Sequence, residues 1–422
     1  MIIMNIAKAT AALLCILSIL FISGCSIPRR HITDVSEVPQ NAKSETIKLT
    51  IWGEPQQQEL LREMCKAFTD KNRDKHYAIS FSAVDTDDCA DEVLDSTTQA
   101  ADIFFFSSCD IKELVSAGAL AAVNGSSSVL QSCFGDALEC ASEKGKTYGY
   151  PCQASTCFLY YDKTKFTEDE AGYLDIMLQK DIDAKFNVAA DIKDELCQIS
   201  FFLGAGCRPL TNDGCCPEKC DFNSSVGYQA GEYLLRLAAD KNFGSCCDDR
   251  TIKRGFADGS IAAAISCTEN CDEIKSSLGK NYAAAKLPKT TLSNGETVQL
   301  ISTAEYTLIG ISPESTAKSE AEKLAEWLAG TECQRMMLEK LSIAPTDKLL
   351  MDDEKLLSRY PEISALIQQL EYSVPRGSTE CFSDAAEDFA QYIISSRVTN
   401  QELQEALDRY VESVLLEASE ED

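Results

Sequence analysis

Apolar and polar residues alternate through Ile47-Lys48-Leu49-Thr50-Ile51, the period of a strand with one buried face. The strand runs into Trp52 and Gly53, and Pro55 is well placed in the first turn of a following helix. Leu60, Leu61, Met64, Cys65 and Phe68 then recur at helical spacing and predict one buried helix face. Tyr77, Ile79 and Phe81 alternate again as a second strand. Ala101-Asp102-Ile103-Phe104-Phe105-Phe106 is a short, mostly apolar run, as expected for a strand covered on both faces of a parallel sheet. A helix through Ile111, Leu114 and Val115 closes at Gly118. Strand, helix, strand, helix, strand is the repeating unit of a three-layer α/β domain.

The middle of the chain predicts helices over Ile182 to Phe202 and Ser225 to Asp240, separated by the Gly- and Cys-rich stretch Gly204 to Cys220. Thr251 to Phe256 reads as a helix ending near Gly259, followed by a buried strand Ile261 to Ile265. Ser293-Asn294-Gly295 is a hairpin turn between strands at Thr290–Leu292 and Thr297–Ile301. Amphipathic helices are expected over Ala317–Leu328, Glu332–Lys340 and Leu356–Gln369. The last helix opens with a capping box, Thr399-Asn400-Gln401-Glu402, and carries Leu403, Leu407, Tyr410 and Val414 on one face. No internal repeat is visible, and the acidic end from Glu417 to Asp422 reads as a solvated tail.

The N-terminal pattern is different. One basic residue, Lys8, precedes an uncharged run from Ala9 to Gly24 rich in Leu, Ile and Ala, the layout of a secretory signal. Ile22-Ser23-Gly24-Cys25 resembles the bacterial lipobox, in which the Cys is lipidated (a palmitate-bearing anchor) and becomes the first residue after cleavage. An uncleaved N-terminal anchor is the second reading. Either predicts work outside the cytoplasm, tethered to a membrane. Ser26 to Glu45 has no sustained period, and its polar composition predicts a stalk. The expected layout is a signal over 1–24, a lipidated stalk over 25–45 and a globular part from Thr46.

That globular part is long enough for two domains. A formal net charge of −28 sets it against nucleic acid and anionic lipid as partners. Cysteine is unusually abundant, at 20 residues. An even number in an exported chain invites disulfides, yet many, such as Cys65, Cys157 and Cys197, stand where Ala, Ser or Val would serve, which predicts mostly free thiols with a few bridges. Local clusters (Cys215-Cys216 with Cys220, Cys246-Cys247, Cys267 with Cys271) lack the paired spacing of a zinc site, and only His31 and His76 supply imidazole. No metal and no cofactor are expected.

Several stretches in order resemble the family 1 extracellular solute-binding proteins, the maltose-binding-like receptors of ABC importers. They are Leu49-Thr50-Ile51-Trp52 with the Pro55 helix, and Ala101 to Phe106 with Ala117-Gly118-Ala119-Leu120. Gly145 to Pro151 followed by Leu159-Tyr160-Tyr161-Asp162-Lys163, Arg254 to Ala262, and Ala325-Glu326-Trp327-Leu328 through Ile343-Ala344-Pro345 complete the set. The resemblance spans nearly all of Thr46 to Leu416. It implies a two-lobed, type II periplasmic-binding-protein-like α/β fold with discontinuous lobes, lobe 1 from 46–153 plus 305–342 and lobe 2 from 156–300 plus 348–417, ahead of an acidic tail at 418–422. Crossovers near Ala154–Ser155, Ile301–Ala304 and Ile343–Thr346 would form the hinge.

The resemblance also implies a ligand cleft. The matching positions are Trp52, Glu54 and Gln56 after the first strand, Phe106, Ser107 and Asp110 after the third, Ser155 at a crossover, Thr268 and Glu269 after the later strand, Glu305 and Tyr306 past the second crossover, and Phe382 at the start of a late helix. Trp52 and Phe106 read equally well as core residues at strand ends, Phe382 as helix packing, and Glu54 as a first-turn charge favoured by the helix dipole. Two tryptophans in the whole chain make the cleft poor in the large rings on which sugars pack. No nucleophile elbow, zinc motif or phosphate loop is present, so no catalytic residue is expected. The implied function is a lipid-anchored, extracytoplasmic receptor, a monomer that takes a small polar solute, first of all a sugar or oligosaccharide, to ABC permease subunits. A tethered sensor of the same fold, binding a non-sugar ligand without transport, is the alternative.

Overall fold

The computed structural model describes residues 46–95, 100–210, 219–377, 379–395 and 399–419. The expected signal, Cys25, the stalk, the Cys215-Cys216 pair and the end of the acidic tail lie outside them. Among the described residues no helix is long and apolar enough to cross a membrane.

Two sheets organise the chain. In the first, Ile47–Gly53 lies between Tyr77–Ala83 and Ile103–Ser107, both parallel to it. The long strand Ser302–Ile311 adds antiparallel to Ile103–Ser107 and also takes Gly149–Thr156 and Ser373–Pro375. All five residues of Ile103–Ser107 are buried, as their apolar run predicts. Gly310 is required here by close approach, since a Cβ at this position would stand 2.6 Å from Leu120 Cδ2 and 2.8 Å from Phe106 Cε1. The second sheet orders Tyr282–Ala285, Phe158–Asp162, Ala263–Ser266, Val188–Ala189 and Phe243–Gly244 side by side.

Three stretches of chain come together where the sheets meet. Gly149–Thr156 belongs to the first sheet and Phe158–Asp162 to the second, with Cys157 between them. Ala154 N donates to Ala344 O at 3.0 Å. Thr156 Oγ1 donates to Ser302 Oγ at 2.7 Å and is buried with it. Cys157 is bridged to Cys267, the residue after Ala263–Ser266. Most of the other described cysteines are free and buried, including Cys65 and Cys197.

The structure revises several expected elements. Only Glu195–Ala205 of the Ile182–Phe202 stretch is helical. Asp194 caps that helix by accepting from Cys197 N, and the segment before it supplies the buried strand Val188–Ala189 instead. The helix expected over Leu356–Gln369 is two, Glu354–Leu357 and Pro361–Leu370, because Pro361 has no N–H to continue the first and suits the opening turn of the second. The capping box at Thr399 and Glu402 is present and opens Asn400–Ala418.

Candidate functional site

A cavity of about 900 Å³ lies where the two sheets meet, lined from both. The first lobe contributes residues just past the carboxyl ends of its parallel strands, where open α/β sheets place ligands. Glu54 and Gln56 follow Ile47–Gly53, Asp85 and Asp87 follow Tyr77–Ala83, and Asp110 follows Ile103–Ser107. Glu54 is fixed by accepting the Thr86 amide at 2.6 Å. The second lobe contributes two helix starts: Asp194 and Glu195 open Glu195–Ala205, and Glu269 and Asp272 flank the start of Cys271–Leu278.

Glu305, on the long strand, is the most fully partnered acid in the cavity. Its Oε1 accepts from Ser107 Oγ at 2.6 Å, and its Oε2 pairs with Arg376 Nη1 at 2.7 Å. Burial works against charge on Arg376, but Glu305 together with Cys109, Glu195 and Asp194 outweighs it and holds the guanidinium pKa above its ordinary value. Ser155 and Thr268 share a hydrogen bond of 2.9 Å across the junction, and Gln57 and Gln153 share another at 3.1 Å.

Three of the remaining acids are pushed toward their protonated form. Burial, reinforced by Glu305, Glu113, Asp87 and Asp91, pushes the Asp110 carboxyl up to about 7. Its Oδ2 is shielded from solvent and has no hydrogen-bond partner. Burial likewise raises Asp194 to about 6 and shifts Glu269 upward. Cys109, also in the lining, is driven to about 12 by burial, so it is a thiol and no nucleophile at neutral pH. Among the described residues no group of three or more His, Cys, Asp or Glu is placed to hold a metal ion.

Eight of the twelve positions read from the sequence line this cavity: Glu54, Gln56, Ser107, Asp110, Ser155, Thr268, Glu269 and Glu305. The other four, all aromatic, do not. Phe106 and Tyr306 are fully buried in a core shared by the two sheets, and Trp52 packs half-buried against the same core. Phe382 is fully buried beside Phe222, at a ring separation of 5.8 Å. Strand alternation explains Phe106 and Tyr306, since each neighbours a residue that does face the cavity (Ser107 and Glu305) and so points to the opposite face. Sequence reasoning passed over Asp85, Asp87, Asp194, Glu195, Asp272 and Arg376. The first two were legible from their place at the end of a parallel strand; nothing local marked Arg376.

The chain matches the family model described as bacterial extracellular solute-binding protein over residues 63–365. No curated protein sequence matches it. Among solved structures, a maltodextrin-binding protein from L. casei BL23 without ligand is 20% identical with a TM-score of 0.78, covering 88% of this chain and 99% of that one. A cyclo/maltodextrin-binding protein complexed with maltotetraose is 18% identical at a TM-score of 0.76, covering 89% and 98%. A maltose-binding periplasmic protein from Listeria monocytogenes in complex with maltose is 18% identical at 0.75, covering 90% and 99%. At these identities the likeness establishes the two-lobed fold.

Proposed function

The chain belongs to the bacterial extracellular solute-binding proteins, and on that premise we propose that it captures a small polar solute in the cavity between its lobes and delivers it to the permease subunits of an ABC importer. The observation that carries this reading is the cavity itself: about 900 Å³, at the junction of two α/β lobes, lined by side chains from both. A solute that touches both walls has more contacts when the lobes approach, so occupancy shifts the population toward a closed form that a membrane partner can recognise. The junction strands supply the pivot, with lobe boundaries near Ala154–Ser155, Ile301–Ala304 and Ile343–Thr346.

The protein acts as a receptor and not as a catalyst. The free thiols in its lining, Cys109 and Cys271, are both pushed up to about 12, burial being the main cause, and the one cation among the described lining residues is committed to Glu305. On the same reading Cys25, which closes the lipobox-like Ile22-Ser23-Gly24-Cys25, carries the lipid that keeps the receptor on the outer face of the membrane. Sugars and oligosaccharides are the first solutes to test, because maltodextrin, maltotetraose and maltose name the partners of the structural neighbours.

A thermal-shift screen with sugars, oligosaccharides, peptides and polyamines tests the proposal, since a ligand that binds only the folded state raises the melting temperature by mass action. A saturable shift with an unaltered ligand recovered afterwards supports a receptor. Recovery of hydrolysed ligand would overturn it.

A further inference from the structure

We propose that the solute is a small organic polycation, a molecule carrying several protonated amines; this deepens the receptor reading above and rests on it. Among the described residues nine carboxylates line the cavity against a single basic side chain, Arg376. That guanidinium is spent on Glu305 at 2.7 Å. Among the described residues none of the other eight carboxylates lies in an ion pair, and Lys and His are missing from the described lining altogether.

The placement of the charge matters as much as its amount. Glu54, Asp85, Asp87 and Asp110 stand on the first lobe, and Asp194, Glu195, Glu269 and Asp272 on the second. Any approach of the lobes brings two sets of like charges together in a space that excludes water, where their repulsion is screened least. A neutral solute leaves that repulsion in place. A solute with positive groups spaced along it neutralises both walls, so the ligand itself makes closure favourable. Occupancy and closure are then coupled through charge.

Two further observations narrow the class. Among the described residues no three of these acids converge closely enough to coordinate a metal ion, so the negative charge is spread along the cavity and suits an extended molecule better than a point ion. The described lining also holds no aromatic ring, so the stacking surface that unmodified sugars use is lacking there. Carboxylates, amides (Gln56, Gln57, Gln153) and hydroxyls (Ser155, Thr268) together accept from ammonium groups and from any hydroxyls between them. Aliphatic polyamines and amine-bearing oligosaccharides share that chemistry.

Calorimetry on the purified protein at low and high salt distinguishes these sources, using spermidine, the glucosamine trimer, its N-acetylated counterpart, maltotriose and calcium chloride. Binding of spermidine or the glucosamine trimer is expected, weakening at least tenfold between low salt and about 0.5 M. The N-acetylated trimer has the same backbone without the charge and should bind at least tenfold more weakly. Glu269→Gln combined with Asp272→Asn should cut amine affinity tenfold or more, whereas Asp74→Asn, on the exposed surface, should leave it unchanged. Equal loss in both variants would mean diffuse binding to an acidic surface and would overturn the proposal. Preference for maltotriose or the N-acetylated trimer would overturn the charge claim while leaving the receptor reading intact, as would a site that takes only calcium. Silence of all five ligands, with no change in the shape of the protein, would count against both.

Discussion

Replacing Asp110 by Asn should make the unliganded protein more stable at pH 8 while leaving it nearly unchanged at pH 4. Asp110 titrates at about 7 in the folded protein, against about 3.9 in an unfolded chain. Below pH ~4 both states hold the proton and the group contributes nothing. Between ~4 and ~7 the unfolded chain releases its proton while the folded one keeps it, so stability falls as pH rises. Above ~7 the cost is complete. At about 1.4 kcal/mol per pKa unit, three units set an upper bound of about 4 kcal/mol. Water in the open cavity and relaxation of Glu305, Glu113, Asp87 and Asp91 around the group reduce this to an expected 2–3 kcal/mol, roughly. Urea denaturation followed by tryptophan fluorescence reads it directly, since Trp52 and Trp327 pack against the first lobe's strands and helices. An equal gain at pH 4 and pH 8, or a loss at pH 8, would refute the reasoning. The same variant should bind the proposed amine ligand less tightly, so the acid costs stability and serves binding.

Arg376→Leu should destabilise the protein by about 2 kcal/mol, because it leaves Glu305 among other acids without its counter-charge; adding Glu305→Gln should return much of the loss in a double-mutant cycle by urea denaturation. Phe382→Ala should cost roughly 3–5 kcal/mol, the usual penalty for removing a buried ring, yet leave the ligand dissociation constant unchanged, because the ring lies in the second lobe's core beside Phe222. Cys25→Ser should release the protein from membranes into the soluble fraction and abolish the lipid mass increment by mass spectrometry.

Hydrophobic periodicity made much of the first lobe legible. The alternation at Ile47–Ile51 and the apolar run at Ile103–Phe106 correspond to adjacent strands of one sheet, because a two-faced burial pattern has few other solutions. The middle was harder. Ile182 to Phe202 has an apolar density that fits a helix, but Asp194 captures the Cys197 amide and starts the helix late, a competition between side chain and backbone that periodicity does not weigh. The polar half of the cavity was readable from positions just past strand ends, as with Glu54 and Ser107. The four aromatic candidates lie outside the cavity lining: stacking on sugars draws attention to rings, while alternation turns Phe106 and Tyr306 inward. Asp194, Glu195 and Asp272 of the second lobe and Arg376 reach the cavity through tertiary folding from distant parts of the chain, and no local pattern announces that convergence.

A solute held between two lobes draws them together if it bridges both walls of the cavity. Small-angle X-ray scattering of the protein alone and saturated with the tightest ligand found by calorimetry measures this directly. The radius of gyration should be smaller with ligand, and that contraction should be lost in the Glu269→Gln, Asp272→Asn variant. Identical scattering with and without a ligand bound in the cavity would contradict it.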